Sequence, residues 1–258
     1  MYLDAIVARH RQTASLDERR TADLIAECST LEPTRGFRRA LAEESRTRLA
    51  VIAEVKRKSP SKGELLGTRS VESLVDDYVA GGASCVSVLT DVEFFAGSVD
   101  DLRVVRQRCA VPIIRKDFTV SLNDVVDARM MGADCVLLIA AVLSRGEMSG
   151  MIDVANEIGI DVLVETHDES EVETAVELGA TLVGVNQRDL VTFQVDHERA
   201  VRTASFFPEG IVKVAESGVR GTADARSLRD AGYDAVLVGE SLVTASSPRE
   251  ALASLRIS

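Results

Sequence analysis

Length, composition and charge already exclude several classes of protein. The chain has 258 residues, of which 46% are apolar and 28% charged, and its formal net charge is −11. This apolar fraction excludes an intrinsically disordered chain, and the length suits one large α/β domain or two small ones. No apolar run approaches the ~20 residues of a membrane span, and the acidic balance argues against a nucleic-acid partner.

Cysteine and histidine usage narrows the chemistry. The four cysteines are too widely spaced for a zinc knuckle and suggest no disulfide framework: Cys28, Cys85, Cys109 and Cys135. The three histidines lack the spacing of metal ligands: His10, His167 and His197. We therefore expect no metal. The first residues carry no secretory pattern, so a reducing cytoplasm is the predicted location.

Three charged, helix-like segments come first, at residues 5–12, 17–28 and 37–45. We expect residues 1–48 to form an N-terminal helical extension packed on the rest of the chain. No Pro/Gly/Ser-rich linker follows, so residues 1–258 are predicted to form a single domain.

Eight short apolar runs rich in Val, Ile and Leu follow, typical of parallel strands buried on both faces. They occupy residues 51–55, 85–89, 111–115, 135–139, 161–164, 182–185, 211–215 and 235–238. Helical periodicity fills several of the gaps, at residues 70–80, 122–131, 170–178 and 223–231.

A short pattern recurs where helices end and strands begin. The segments are GASCV at 82–86, GADCV at 132–136, GATLV at 179–183 and GYDAV at 232–236. Each is typical of a helix stop, a turn and then a strand. Eight such strands alternating with helices predict an α/β fold, a (β/α)₈ TIM barrel, with an open doubly wound sheet as the alternative.

Active sites of such barrels lie at the C-terminal ends of the strands, so the polar residues there are the candidates. They include Glu54, Lys56, Lys116, Glu165, Asn186, Arg188 and Glu216. Taken singly, such a lysine is more often a solvated loop residue, and such a glutamate more often a helix cap or an ion-pair partner. Together they predict convergent acids and amines that shift one another's pKa values, as acid–base catalysis requires. We interpret Asp91, Asp117 and Asp189 as structural partners.

The ends of the last two strands predict a phosphate site. Ser217, Gly218, Gly239 and Glu240 offer backbone N–H groups just before helices. Such groups favour an anion, and barrels often bind phosphate at this position.

Taken in order, these segments closely resemble the indole-3-glycerol phosphate synthase family. The signature is IAEVKRKSPSKG at 52–63, and SVLTD, FFAGS, IRKDF, LVETH, GVNQRDL, AESG and VGES follow between residues 87 and 241. The resemblance extends from Phe37 to the end. It implies closure of the ring of 1-(2-carboxyphenylamino)-1-deoxyribulose 5-phosphate with loss of CO₂ and water, in tryptophan biosynthesis, without a cofactor.

The resemblance also implies roles for individual residues. Lys116 would be the general acid and Glu165 the general base. Glu54, Lys56 and Asn186 would orient the substrate and assist proton transfer. The remaining residues would bind substrate. Ser59 and Phe95 would hold its aromatic part, Arg188 would lie beside the carboxylate and the base, and Glu216 would be a further substrate-binding residue. Ser217, Gly218, Gly239 and Glu240 would bind its phosphate.

Two departures from the family pattern stand out: Gln187 replaces a second asparagine, and residues 64–69 differ from the usual segment. The alternatives are another phosphosugar barrel, such as a phosphoribosylanthranilate isomerase, and a barrel that binds a phosphorylated ligand without turnover. A monomer or weak homodimer is expected.

Overall fold

A closed barrel of eight parallel strands forms the centre of the protein. The computed structural model describes residues 2–60, 62–190 and 192–258, so Ser61 of the signature segment lies outside the described residues. The barrel strands are β1 Ala50–Val55, β2 Cys85–Leu89, β3 Ile113–Lys116, β4 Cys135–Ile139, β5 Asp161–Thr166, β6 Leu182–Asn186, β7 Val212–Glu216 and β8 Ala235–Val238. Each pairs with the next along the chain, and β1 closes the ring on β8, with Ala50 opposite Ala235. The predicted (β/α)₈ barrel is confirmed.

Helices surround this barrel and precede it. They are α1 Tyr2–Ser15, α2 Thr21–Cys28, α3 Phe37–Glu44, α4 Val71–Gly81, α5 Val92–Phe95, α6 Val99–Arg108, α7 Leu122–Met130, α8 Arg145–Ile158, α9 Glu169–Glu177, α10 Arg199–Thr203, α11 Thr222–Asp230, α12 Glu240–Val243 and α13 Pro248–Leu255, with a 3₁₀ turn at Ala204–Phe206. A short hairpin pairs Lys58–Ser59 with Gly63–Glu64 in the loop after β1. Among the described residues, every helix is too short or too polar to cross a bilayer.

The recurring glycines end helices as the sequence predicts. Gly82, Gly132, Gly179 and Gly232 have φ values of +89°, +97°, +87° and +89°. Residues with side chains avoid this left-handed region, so glycine is the natural residue for these turns. Each turn lets the chain leave a helix and enter the next strand, which sets the regular alternation of the barrel.

Helix α3 of the N-terminal extension closes the end of the barrel opposite the strand C-termini. Phe37 and Leu41 of α3 are fully buried in a cluster with the inward-facing strand residues, including Ile52 and Cys135. The carboxylate of Asp134, which is fully buried just before β4, accepts hydrogen bonds from the backbone N–H groups of Arg35 and Ile113 at 2.8 and 2.9 Å, and a third from the Arg106 guanidinium at 2.7 Å. These contacts fasten the extension to the strand N-termini.

The third strand is shorter at its start than predicted. Residues 111–115 were expected, whereas β3 runs from Ile113 to Lys116. Pro112 has no N–H to give to the sheet, although its carbonyl accepts a hydrogen bond from Val86 at 3.0 Å. The strand therefore begins after the proline and carries Lys116 as its last residue.

Candidate active site

A cavity of about 620 Å³ opens at the C-terminal end of the strands. All thirteen residues that the sequence singled out line it: Glu54, Lys56, Ser59, Phe95, Lys116, Glu165, Asn186, Arg188, Glu216, Ser217, Gly218, Gly239 and Glu240. They come from every strand end except that of β4, which contributes the apolar wall residues Leu137 and Ile139. The barrel thus brings together groups that are up to 186 positions apart in the sequence.

Lys116 lies between two buried carboxylates. Its Nζ is 2.6 Å from Glu165 Oε2 and 3.1 Å from Glu216 Oε2. The other oxygen of Glu165, Oε1, accepts a hydrogen bond of 2.9 Å from the Asn186 side chain. Both carboxylates are about 2% exposed or less, and the Lys116 side chain is 15% exposed. The ammonium group is therefore fixed in position but still reaches the cavity.

These contacts move the pKa values of all three groups. Burial lowers the pKa of Lys116, but the charges of Glu165, Glu216 and Glu54 outweigh it and hold that pKa well above its ordinary value. Burial raises the pKa of Glu165, but Lys116 and His167 reverse this, and the carboxyl stays ionised. For Glu216, burial dominates over the attraction of Lys116, and the pKa rises to about 7. One lysine thus lies between an ionised carboxylate and a carboxyl that titrates near neutrality.

Glu54 of β1 and Lys56, which directly follows that strand, form a second ion pair beside the first, because both side chains lie on the cavity side of the chain. Lys56 Nζ contacts Glu54 Oε1, and the backbone carbonyl of Glu54 accepts a hydrogen bond of 3.0 Å from the buried Tyr78 hydroxyl. Glu54 is 4% exposed and Lys56 is 20% exposed at its side chain. Lys56 therefore presents its charge to the cavity from a fixed position.

Two glycines make room for the buried carboxylates. A Cβ atom at Gly184 would overlap Glu216 Oε1 and lie 3.1 Å from its Cδ, and one at Gly239 would overlap Glu54 Oε1 and lie 3.1 Å from its Cδ. Each glycine lies on or just after a strand next to the one that carries the carboxylate. Their lack of a side chain allows three carboxylates to share the narrow end of the barrel.

The loop after β7 adopts an unusual backbone conformation. Ser217 and Gly218 have φ values of +65° and +76°, and serine seldom occupies this region. The Gln187 side chain donates a hydrogen bond of 2.8 Å to the Ser217 carbonyl and holds the turn from β6. The Ser241 hydroxyl donates to the Val219 carbonyl at 2.8 Å, which links this loop to the one after β8. The two predicted phosphate loops are thus tied together.

Two further cations lie near these loops: the Lys62 ammonium group, and the Arg188 guanidinium, whose Nη1 donates a hydrogen bond of 3.1 Å to the Phe193 carbonyl. Lys62 Nζ is 3.5 Å from one oxygen of Glu240, and Arg188 Nη2 is 3.9 Å from the other. The backbone N–H of Arg188 donates to Asn186 Oδ1 at 3.0 Å, which fixes the amide that holds Glu165. In this structure the Arg188 side chain therefore lies on the Glu240 side of the cavity.

Apolar groups form the remaining wall. The rings of Phe95 and Phe118 lie 6.4 Å apart between centroids, and Leu3 and Ile6 of α1 complete this side of the cavity. Ser59 is a buried residue of the hairpin, and its hydroxyl accepts a hydrogen bond of 3.2 Å from the Lys62 N–H. A flat aromatic ring fits such a wall.

Sequence reasoning missed a polar cluster at the edge of the cavity. His10 Nε2 of α1 is 3.0 Å from Asp91 Oδ2 and 3.7 Å from Asp117 Oδ1. The three groups are close enough to hold a cation, but Asp91 also caps the N–H groups of Phe94 and Phe95. The cluster therefore attaches α1 to the loops that follow β2 and β3. The sequence analysis had interpreted Asp91 and Asp117 as structural partners, but it had not linked either of them to His10.

Comparisons with known proteins agree with this architecture. The family model described as indole-3-glycerol phosphate synthase matches residues 3–255. A protein of that name from Parafrankia sp. is 44% identical over 253 residues, covering 98% of this chain and 94% of the relative. Another from Streptomyces griseus subsp. griseus is 50% identical over 207 residues, covering 80% of this chain and 77% of the relative.

More distant solved structures share the fold alone. The 3-hexulose-6-phosphate synthase of Salmonella typhimurium has a TM-score of 0.66 at 13% identity, covering 80% of this chain and 96% of its own. The thiamine phosphate pyrophosphorylase of Pyrococcus furiosus has a TM-score of 0.60 at 18% identity, covering 80% and 93%. The match over residues 3–255, together with relatives at 44–50% identity, shows that the chain belongs to the indole-3-glycerol phosphate synthase family.

Proposed function

We propose that this chain converts 1-(2-carboxyphenylamino)-1-deoxyribulose 5-phosphate to indole-3-glycerol phosphate, with loss of CO₂ and water, as a carboxy-lyase of tryptophan biosynthesis. The observation that carries the proposal is the position of Lys116, 2.6 Å from Glu165 and 3.1 Å from Glu216 at the wall of the cavity. A charged acid next to a carboxylate base is what ring closure followed by dehydration requires.

In this mechanism Lys116 protonates the ribulose carbonyl oxygen as the aryl carbon attacks it. The raised pKa of Lys116 keeps the proton on the amine until the developing oxyanion accepts it, which is electrostatic stabilisation as well as proton transfer. Loss of CO₂ then restores the aromatic ring. Lys116, left neutral by the first step, regains a proton from solvent through the open cavity. In the dehydration it gives that proton to the leaving hydroxyl, which departs as water, while Glu165, ionised and held by Asn186, accepts the proton lost from the new ring.

Lys56 meets the carboxylate of the aromatic ring, and Glu54 holds Lys56 in place. Phe95 and Ser59 hold the ring, and the ribulose points towards Lys116. The N–H groups around Ser217, Gly218, Gly239 and Glu240 bind the phosphate. Because the Glu240 carboxylate would repel a phosphate, its part in binding is through its backbone N–H.

The expected cellular setting follows from the same chemistry. A phosphorylated small molecule is the proposed partner, neither nucleic acid nor a cofactor takes part, and the reaction takes place in the cytoplasm. The protein is proposed to act as a monomer or weak homodimer.

The test is turnover of the synthetic carboxyanilino substrate, followed by the absorption and fluorescence of the indole product. Lys116→Ala and Glu165→Gln should each lower kcat by at least ~100-fold. Lys213→Ala, which removes a lysine from the other end of β7, and Glu177→Gln on the outer face of α9 are the matched controls and should retain activity. A Lys116→Ala variant with normal turnover would refute the mechanism, and a wild-type protein that binds substrate without turnover would favour the non-catalytic alternative.

A further inference from the structure

His167 lies directly behind Glu165 on the same strand exit. It follows the last residue of β5, and its Nε2 is 3.6 Å from Glu165 Oε1, the oxygen that Asn186 also contacts. The imidazole is 14% exposed at its side chain and does not line the cavity. It can therefore act on the reaction only through Glu165.

The orientation of this ring is fixed from the opposite side. Glu171, in the first turn of α9, accepts a hydrogen bond of 2.7 Å from the His167 backbone N–H, and the same oxygen is 3.2 Å from Nδ1. A carboxylate beside Nδ1 requires a proton on that nitrogen. The proton state of Nε2 is then the remaining variable.

Nε2 is buried and has no hydrogen-bond partner among residues 2–60, 62–190 and 192–258. If the ring were neutral with its proton on Nδ1, the Nε2 lone pair would face an ionised carboxylate, which is repulsive. If the ring is charged, Nε2–H points its positive end at Glu165 Oε1. The geometry therefore favours the imidazolium.

The charges that face the ring lead to the same state. Glu165 on β5 and Glu171 on α9 favour the charged form, whereas burial and Arg199 on α10 oppose it, and the carboxylates prevail so that the pKa of His167 is raised. Arg199 is itself engaged, since it donates a hydrogen bond of 3.0 Å to the Asn186 carbonyl.

We propose that His167, oriented by Glu171, is a positioning residue that acts through Glu165. Its imidazolium holds the Glu165 carboxylate ionised and turned towards the substrate, in a site where three buried carboxylates would otherwise face only two lysine ammonium groups. The role in catalysis rests on the proposed function, whereas the coupling between the two side chains does not.

The coupling can be measured without substrate. The chain has three histidines, so NMR titration of ¹⁵N-histidine-labelled protein gives three pairs of ring nitrogen signals, assigned with His10→Asn and His197→Asn variants. The His167 midpoint should lie above the ordinary 6.5, and both Glu165→Gln and Glu171→Gln should lower it. Glu177→Gln, at the other end of α9, should leave it in place. A midpoint at or below 6.5, or one that Glu165→Gln does not move, would overturn the coupling.

Kinetics then test the role. His167→Leu removes both the proton and the charge, and should lower kcat about tenfold with a smaller change in KM, because the base is displaced and not the binding groups. His167→Gln restores a donor that does not titrate, so it should regain part of kcat while the ionisation of His167 disappears from the pH profile. Unchanged kcat in His167→Leu, or an unchanged profile in His167→Gln, would refute the positioning role. NMR coupling in a protein without turnover would instead refute the proposed function.

Discussion

Substitution of Gly184 by alanine tests how tightly the carboxylates are packed. The backbone of Gly184 lies outside the left-handed region, so alanine itself is not strained there. The added Cβ would overlap Glu216 Oε1 and lie 3.1 Å from its Cδ. Cβ atoms essentially never lie within 3.0 Å of another heavy atom, so the overlapped Oε1 of Glu216 must withdraw by about 1 Å. It can do so only by lengthening its contact with Lys116, now 3.1 Å.

Two magnitudes follow from this displacement. Overpacking of one methyl group in a close-packed interior costs about 1–3 kcal/mol, which lowers Tm by several degrees. A shift of ~1 Å in a group that positions the catalytic acid lowers kcat by up to ~100-fold. Thermal unfolding and steady-state turnover of the indole product measure the two effects separately.

The controls isolate the cause. Gly146→Ala lies in α8 with nothing within 4 Å of the new Cβ, and should be neutral or stabilise the protein by up to ~1 kcal/mol. Glu216→Asp shortens the side chain and should relieve the overlap in the double variant, giving a positive coupling in Tm. Normal Tm and kcat in Gly184→Ala would show that the carboxylate is not confined as described.

Three other predictions concern the phosphate loop, the far end of the barrel and pH. In Gly218→Ala, a side chain would be forced into a backbone with a φ of +76°, and its Cβ would lie 2.6 Å from Val195 Cγ1. The variant should therefore raise KM and weaken competitive inhibition by inorganic phosphate more than it lowers kcat. Unaltered phosphate inhibition would count against this loop as the phosphate site. Asp134→Ala leaves Arg106 without its buried partner, so it should lower the free energy of unfolding, measured by urea titration, by about 3–5 kcal/mol. The folded variant should keep its kcat because the candidate site is at the opposite end of the barrel. A variant as stable as the wild type would contradict the role of Asp134 in attaching the extension. Since the pKa of Glu216 is raised from 4.5 to about 7, the folded state holds a proton between these values that the unfolded state has lost, so this group's contribution to stability falls as pH rises across that window. Glu216→Gln should remove that decline from the pH dependence of unfolding, and an identical dependence in both proteins would refute the assignment.

The barrel was predictable because its signals are local. Buried parallel strands are continuous apolar runs, and the turns before four of them each require a glycine, here with φ between +87° and +97°. The structure was needed for helices that the sequence analysis did not predict, such as α6, α8 and α13, and for strand boundaries: β5, β6 and β7 each extend one or two residues beyond the predicted end. In each case the extra residues are polar side chains that pair with the next strand, as Asn186 does opposite Glu216.

The site was only partly predictable, for a different reason. Strand alternation placed Glu54 and Lys56 on one face, and barrel topology placed Lys116, Glu165 and Glu216 at one end. Neither gives distances between side chains that are 49 or 100 positions apart. Lys116, and not Lys56, pairs with Glu165 because of how the side chains pack inside the barrel, which the sequence pattern does not reveal. His167 was hidden for the same reason, since a lone histidine after a strand carries no pattern.

The cations of the cavity differ in how firmly they are held, and this difference fits a substrate with two anionic groups. Lys116 and Lys56 are each in close contact with a buried carboxylate, so their positive charge is largely neutralised before substrate arrives. Lys62 Nζ and Arg188 Nη2 lie 3.5 and 3.9 Å from the exposed carboxylate of Glu240, whereas Arg188 Nη1 is held by the Phe193 carbonyl. A phosphate can displace such weak contacts at little cost, whereas displacing Glu165 from Lys116 would leave a buried charge without a partner. In the proposed mechanism the two buried lysines thus serve proton transfer and orientation, and Lys62 Nζ and Arg188 Nη2 are available to the phosphate.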